Sequence, residues 1–385
     1  MVAPTSGIDC WLEMGAQMHR VRRLVAVWVL ILACSFLRGV ASQPSSTRQP
    51  LDIARVLAQK YPASPIMGYI PALSWSGAMR LSVVTGDDAF AQKARRDMTP
   101  FLSGDKPAIA EPYQLTSLAG HLAFADLTTM FGDPAGLTLA RAAADFMLPK
   151  MGSGLLNETA GKSAPEAADS PIVRFARKWT DDMFMASAVL SRVGAQTKDP
   201  RYATAVGRLL TSYAASLQRP DGLFIHAVEG PHAWGRGNGF AALGVAEALQ
   251  YLPDTWPDRA RVLDIARRHM RGMLPHQSDD GSWRQVVDEP TSYRELTVTA
   301  MTVAVMARGV RLGWLDASFR PSIDRGWQAV AARVGGDGSV SDVCEGTGAG
   351  AGKEYYLNRR AVSGADDRGG AMALLAALEV AALKP

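Results

Sequence analysis

Cysteine is nearly absent from the chain, and so is every motif that would announce a metal or a cofactor. The three cysteines are Cys10, Cys34 and Cys344, and no CxxC pair, HExxH or clustered His/Asp pattern accompanies them, so neither a disulfide framework nor metal catalysis has support. GxSxG, a P-loop and GxGxxG are missing as well. No metal and no cofactor is expected. The formal net charge is only +4, and the one dense basic cluster, His19–Arg23, stands near the start, so no nucleic-acid partner is expected. Period-two alternation of the strand type is almost lacking. Long apolar runs are rare too, and the clearest, Leu24–Leu37, is too short for a comfortable membrane span.

That run is preceded by Arg20, Arg22 and Arg23 and followed by the small residues Gly39, Ala41 and Ser42. The order is that of a secretory signal peptide over residues 1–42. Cleavage there removes Cys10 and Cys34 and leaves Cys344 alone. An exported protein without a disulfide fits a bacterial periplasm or surface better than a eukaryotic secretory route. Leu32-Ala33-Cys34 faintly resembles a lipoprotein box, but apolar residues continue past it, and lipid anchoring is not expected. Residues 43–50 read as a Pro/Ser/Thr linker, and 51–385 as a single domain.

Within that domain helical patterns follow one another: 51–61, 75–85, 88–102, 115–131, 136–150, 181–196, 200–218, 239–252, 258–275, 295–313, 317–334 and 368–382. Turn signals separate them, among them Gly132-Asp133-Pro134, Asp199-Pro200 and Pro220-Asp221-Gly222. The helices also alternate in character. Segment 258–275 sets Asp258, Arg259, Arg261, Asp264, Arg267, Arg268 and Arg271 against Val262, Ile265, Ala266 and Met273, the pattern of an outward-facing amphipathic helix. Segment 295–313 carries no charge from Leu296 to Ala307, and 368–382 is as apolar, so both should be buried on all sides. An exposed helix followed by a buried one, six times over, predicts an all-α fold, an (α/α)6 barrel of six inner and six outer helices. Two stacked helical domains are the alternative, weakened by the lack of a linker within 115–334.

In such a barrel the inner helices all start at one end, and polar clusters stand at or before their starts: Tyr113–Thr116, Trp179–Asp182, Trp234–Asn238, Tyr293–Glu295 and Asp366–Arg368. Converging helix N-termini favour an anionic ligand. In Lys178-Trp179-Thr180-Asp181-Asp182, an indole two residues before Asp181 can exclude water from the carboxylate, as a general acid requires. Met185, one turn on, shares the Asp181 face. In Pro231-His232-Ala233-Trp234-Gly235-Arg236-Gly237-Asn238-Gly239-Phe240, Arg236 is a cation beside an indole in a Gly-rich loop, and Asn238 is suited to cap the helix expected from 239. His226 stands just upstream in an otherwise apolar stretch. Taken alone, a helix cap with a stacked Arg–Trp pair accounts for this loop, and a structural role accounts for His226.

The combination KWTDDMFM, LFIHAVEGPHAWGRGNGF, DGSWRQVVDEPTSYRELTVTAM, ARGVRLGWLD and GTGAGAGKEYYLN resembles glycoside hydrolase families 88 and 105, the unsaturated glucuronyl and rhamnogalacturonyl hydrolases. The resemblance runs in order through most of 175–380. It implies an (α/α)6 barrel that removes a 4,5-unsaturated uronic acid from the non-reducing end of lyase-generated oligosaccharides. It also implies that the Asp of W-x-D, here Asp181, protonates C4 while water adds at C5, and that the resulting hemiketal opens to release the neighbouring sugar. His226, Trp234 and Arg236 would line the sugar pocket, with Trp179, Met185 and Asn238 as further substrate-binding candidates. The chain departs from the family in several places. A second Asp usual at the start of the fourth helix is replaced by Gln114-Leu115-Thr116, Phe240 stands where another aromatic often closes R-G-N-G, Gly152–Ser170 contains no His, and Glu295 is followed by Leu296-Thr297-Val298. A conventional glycosidase using Asp181 and Glu295, or an acidic-sugar-binding protein without turnover, are the other readings. N-terminal sequencing of protein recovered outside the cytoplasm of its native host should begin just beyond Ala41–Ser42; a retained Met1 or Met18 would refute the signal peptide.

Overall fold

The computed structural model describes residues 48–153 and 178–383. The expected signal peptide, most of the linker and nearly all of Gly152–Ser170 lie outside the described residues. Twelve long helices follow: α1 (Pro50–Lys60), α2 (Tyr69–Thr85), α3 (Ala89–Leu102), α4 (Leu122–Phe131), α5 (Pro134–Ser153), α6 (Thr180–Thr197), α7 (Pro200–Leu217), α8 (Gly235–Tyr251), α9 (Arg259–Met273), α10 (Leu296–Arg311), α11 (Arg320–Ala332) and α12 (Asp367–Ala381). The even-numbered helices pack side by side in a closed ring, α2–α4–α6–α8–α10–α12 and back to α2, and the odd-numbered ones pack outside it. The expected (α/α)6 barrel is the observed fold.

The buried positions explain the division. In α9 only Val262, Ile265, Ala266, His269, Met270 and Met273 are buried, one stripe at helical spacing. In α8 every residue from Gly235 to Leu249 is buried, and in α10 every residue from Leu296 to Gly309. Small residues let inner helices approach closely: a Cβ at Gly244 of α8 would lie 2.4 Å from the Met183 carbonyl oxygen of α6. Turn residues act where expected, with Asp199 capping α7 through the Arg201 N–H ahead of Pro200 and Gly132 (φ 71°) closing α4 in the left-handed region.

Several boundaries moved. α2 starts at Tyr69, six residues before its expected start, because Pro71 falls in the first turn, where a missing N–H costs nothing. Segment 115–131 is broken into a short helix (Leu115–Leu118), a 3-10 turn (Ala119–His121) and α4. α8 starts at Gly235, with Trp234 as its N-cap, so Asn238 lies inside the helix rather than at its cap. Gly235 and Gly237 are there for close approach, not for unusual φ: a Cβ on either would fall 2.6 Å from Arg284 O or Thr180 Oγ1. Two antiparallel ribbons, β1 (Trp283–Arg284) with β2 (Arg294–Glu295) and β3 (Val340–Cys344) with β4 (Ala361–Gly364), lead into α10 and α12.

Near the C-terminal ends of the inner helices, six charged residues alternate in sign around the ring. Arg192 of α6 bonds Asp126 of α4 (2.8 Å) and Glu247 of α8. Arg308 of α10 bonds Glu247 (2.8 Å) and Glu379 of α12 (2.9 Å), and Arg80 of α2 reaches Glu379 (2.6 Å). Ser76 of α2 donates to Asp126 and closes the circle. Arg311 adds a third cation on Glu379 (2.9 Å). Burial alone would raise the Glu379 pKa; the arginines, Arg308 foremost, outweigh it and hold the carboxyl well below its ordinary range.

A folded-state pKa below the unfolded one stabilises the fold above the unfolded value, near 4.3 for Glu, and that stability is lost as pH falls. Glu379→Gln should therefore cost about 3–5 kcal/mol at neutral pH by stranding buried arginines. Thermal melts should show the gap between wild type and variant narrowing below about pH 4; a constant gap, or no gap, would contradict this.

Candidate functional site

At the opposite end of the ring, where the inner helices begin, a cavity of about 330 Å³ opens. Its walls come from Tyr69 and Ile70 of α2, Gln114–Thr116 before α4, Trp179, Asp181, Asp182 and Met185 around the start of α6, Trp234 and Arg236 of α8, Gly346 and Thr347 after β3, and Arg368 of α12. Four of the five polar clusters expected at this end do contribute. The fifth, Tyr293–Glu295, does not line the cavity. Glu295 is fully buried and caps α10, accepting from the Val298 N–H (2.7 Å), the Thr297 hydroxyl (2.8 Å) and the Cys344 N–H (2.9 Å).

The two neighbouring carboxylates at the start of α6 diverge. Asp182 turns toward α7, where Tyr213 donates its hydroxyl to Oδ2 (2.7 Å) and the Trp179 N–H reaches the same oxygen (3.3 Å). Burial, then the Asp182 charge, push the Tyr213 phenol well above its ordinary value, so it remains a donor. Asp181 keeps a side chain 20% exposed. Its Oδ2 is 3.2 Å from His226 Nε2, and its Oδ1 has no hydrogen-bond partner among the described residues.

His226 does not line the cavity; it is fully buried behind Asp181. Its ring is boxed by Trp234 (centroids 4.4 Å apart), Trp179 (5.1 Å) and Tyr356 (5.7 Å), and its carbonyl accepts the Thr180 N–H at the start of α6 (3.0 Å). The Trp234 indole is part of the cavity wall but only 1% exposed, packed against the His226 imidazole and the guanidinium of Arg236, 4.9 Å from its ring. Trp179 remains partly exposed and donates its Nε1–H to Glu229 (2.7 Å).

Asn238, a further candidate, is buried and does not line the cavity. Its amide pairs with both the N–H and the C=O of Phe224 (2.9 Å each) and with the Trp234 carbonyl (3.0 Å), fastening the segment before His226 to α8. His269, held neutral by burial with a pKa near 3, sits 3.2 Å from the Asn238 oxygen. A polar residue near a helix start predicts a cap; two carbonyl-and-amide bonds to a distant segment are invisible without the fold.

Arg236, for all its Gly-rich surroundings, is only 3% exposed. It donates from Nη1 to the Cys344 carbonyl (2.6 Å) and from Nη2 to the Glu345 carbonyl (2.8 Å). No carboxylate among the described residues forms an ion pair with it, although it is part of the cavity wall. The second cation there, Arg368, is engaged by Asp366 (2.7 Å). Tyr69, Thr116, Thr347 and Arg368 were not singled out as ligand residues from sequence. Arg368 lay within a marked cluster, whereas Tyr69 was hidden by the late start assigned to α2.

Among the described residues, the cavity at the helix N-termini of this (α/α)6 barrel therefore holds a carboxylate oxygen without a hydrogen-bond partner and a guanidinium without an ion pair. The chain belongs to Glycosyl Hydrolase Family 88, whose model matches residues 47–384. It is 28% identical over 176 residues, 42% of this chain and 43% of the other, to an unsaturated 3S-rhamnoglycuronyl hydrolase of Alteromonas sp. (strain LOR). It is 26% identical over 230 residues, 56% of this chain and 62% of the other, to the unsaturated rhamnogalacturonyl hydrolase YesR of Bacillus subtilis (strain 168). These alignments span about half the length of the curated relatives. Among solved structures, a family 105 glycoside hydrolase of C. acetobutylicum superposes with a TM-score of 0.70 at 19% identity, covering 85% of this chain and 98% of that one. The unsaturated glucuronyl hydrolase of Bacillus sp. GL1 superposes with a TM-score of 0.60 at 17% identity, covering 86% and 95%.

Arg236→Ala should act on two properties at once. Removing a charge-assisted partner should weaken binding of an anionic ligand by about 1.5–3 kcal/mol, and freeing the Cys344 and Glu345 carbonyls should lower the melting temperature. Calorimetric titration with an unsaturated uronide, beside a thermal melt, measures both; unchanged affinity would remove Arg236 from the site.

Proposed function

We propose that the protein is a glycoside hydrolase that removes a 4,5-unsaturated uronic acid from the non-reducing end of oligosaccharides by hydrating the C4=C5 double bond. The observation that carries this reading is Arg236, a buried guanidinium without a carboxylate partner among the described residues, in the wall of the cavity that holds Asp181. A buried cation lacking an anion is costly, and an anionic ligand would complete it. The uronate carboxylate is such a group. The relatives' names describe enzymes acting on unsaturated glycuronyl and rhamnogalacturonyl substrates, which supports this choice of ligand.

The chemistry needs one carboxyl group that first donates and then accepts a proton. Asp181 suits it. With Oδ2 near His226, Oδ1 is left for the substrate. The acid gives its proton to C4 of the enol ether, positive charge develops at C5 beside the ring oxygen, and water adds there as the carboxylate takes back a proton. The product is a hemiketal, which opens and expels the neighbouring sugar. A conventional two-carboxylate mechanism is disfavoured because Glu295 is sequestered by its helix cap and Asp182 by Tyr213. Export through the segment Arg20–Ser42 belongs to the same proposal, since such oligosaccharides arise from polymers outside the cytoplasm.

The test is turnover of lyase-generated oligosaccharides in heavy water. Deuterium should appear at C4 of the released uronic acid, and the ultraviolet absorbance of the conjugated double bond should fade in step with sugar release. Asp181→Asn should lower kcat by at least roughly 10²-fold while leaving binding largely intact, and Asp182→Asn should be far milder. Equal cleavage of saturated glycosides, or no label at C4, would favour the two-carboxylate enzyme. Binding without turnover would favour a sugar-binding protein.

A further inference from the structure

Behind Asp181 lies a buried polar contact that takes no direct part in the hydration reaction. Tyr356, in the short helix Lys353–Leu357, is fully buried and places its hydroxyl 2.9 Å from Nδ1 of His226, the ring nitrogen facing away from Asp181. The same hydroxyl accepts the Gly350 N–H (3.3 Å). Room for it is made by Gly230, where a Cβ would fall 2.2 Å from the phenolic oxygen. Two loops some 120 residues apart in sequence are therefore shaped around one phenol.

A phenol has one proton to donate. With one lone pair taken by the Gly350 N–H, the phenol has that proton to offer to His226 Nδ1. Burial, first among several influences, pushes the Tyr356 pKa up to about 12, so the proton stays in place throughout the neutral range. An imidazole that accepts at Nδ1 carries its own proton at Nε2, and Nε2 is the atom 3.2 Å from Asp181 Oδ2. Oδ2 is thereby kept as an acceptor, and when Asp181 is a neutral acid its transferable proton is left on Oδ1, the oxygen without a partner among the described residues.

We propose that Tyr356 is a positioning residue that fixes the His226 tautomer and, through it, decides which oxygen of Asp181 carries the proton delivered to the substrate. The proposal rests on Asp181 being the acid of the hydration reaction. With the opposite tautomer, the bare Nε2 would draw the carboxyl proton onto Oδ2, pointing it into the protein and away from C4. Once Asp181 has donated, the Nε2–H remains to stabilise the carboxylate until it takes a proton from the attacking water. The three aromatic rings around the imidazole prevent it from turning to compensate.

The first measurement needs no substrate. Nitrogen NMR of the intact protein with labelled histidine, His226 being assigned by loss of its signals in His226→Gln, should show Nε2 protonated and Nδ1 bare at neutral pH. In Tyr356→Phe, which keeps the ring and removes only the hydroxyl, the proton should be redistributed toward Nδ1. The kcat on an unsaturated uronide should fall by about tenfold or more with little change in KM, the pattern of a lost transition-state contribution. The acid limb of the kcat–pH profile should shift as well, a change that a merely structural role would not produce. A wild-type spectrum with Nδ1 protonated would overturn the proposal, as would a folded Tyr356→Phe variant with unchanged tautomer and kcat. Should that variant fail to fold, the wild-type spectrum alone decides. Absence of any turnover by the wild type on unsaturated uronides would instead refute the hydration reading, since the tautomer is read independently of activity.

Discussion

The barrel depends on the ring of buried charge that links its six inner helices. Hydrophobic packing holds helices together but leaves their axial registers loosely defined, whereas a buried ion pair is tolerable only when its partners meet in good geometry. Each inner helix contributes a charged residue to the ring: Arg80, Asp126, Arg192, Glu247, Arg308 and Glu379. The alternation of sign means that a helix displaced along its axis would strand two neighbours as well as itself. Register is thereby set collectively at one end, and the N-termini at the other end are delivered to a common level. The cavity exists because those N-termini arrive together.

That division explains how the site is assembled. No helix supplies more than a few of its residues, and much of the wall comes from the connections entering the inner helices. Glu295 couples two of these connections, capping α10 while accepting the Cys344 N–H at the end of β3. Asn238 couples another pair through Phe224, and Tyr356 ties the segment after β3 to the loop between His226 and Trp234. Around Asp181 the conspicuous polar residues are largely spent on such joints; among the described residues, Asp181 Oδ1 has no hydrogen-bond partner and the Arg236 guanidinium has no ion pair.

The architecture was legible in the sequence because alternating burial leaves a signature on every helix: α9 shows a charged face and α10 shows none over its central turns. The convergence of polar clusters was legible for the same reason, since a barrel fixes where the inner helices start. The roles of individual polar residues were less so. Arg236 was read as part of a Gly-rich loop, yet those glycines serve close packing inside the first turn of α8. His226 looked like a pocket residue by resemblance, but the side chains that bury it lie 8, 47 and 130 positions away. Asn238 was misplaced by the four residues that α8 extends beyond its expected start. Local patterns report which face of an element is wet; they do not report which distant backbone a side chain will meet.

The way Arg236 is held has a consequence for sequence drift. Its two protein acceptors are main-chain carbonyls, those of Cys344 and Glu345, and a carbonyl is present whatever side chain follows it. Positions 344 and 345 can therefore change identity without loosening the cation, provided that the backbone course of β3 is kept. A guanidinium anchored by side chains would need correlated substitutions to survive such changes. Here the charge is insured by the peptide chain itself, whatever side chains the surrounding loop carries.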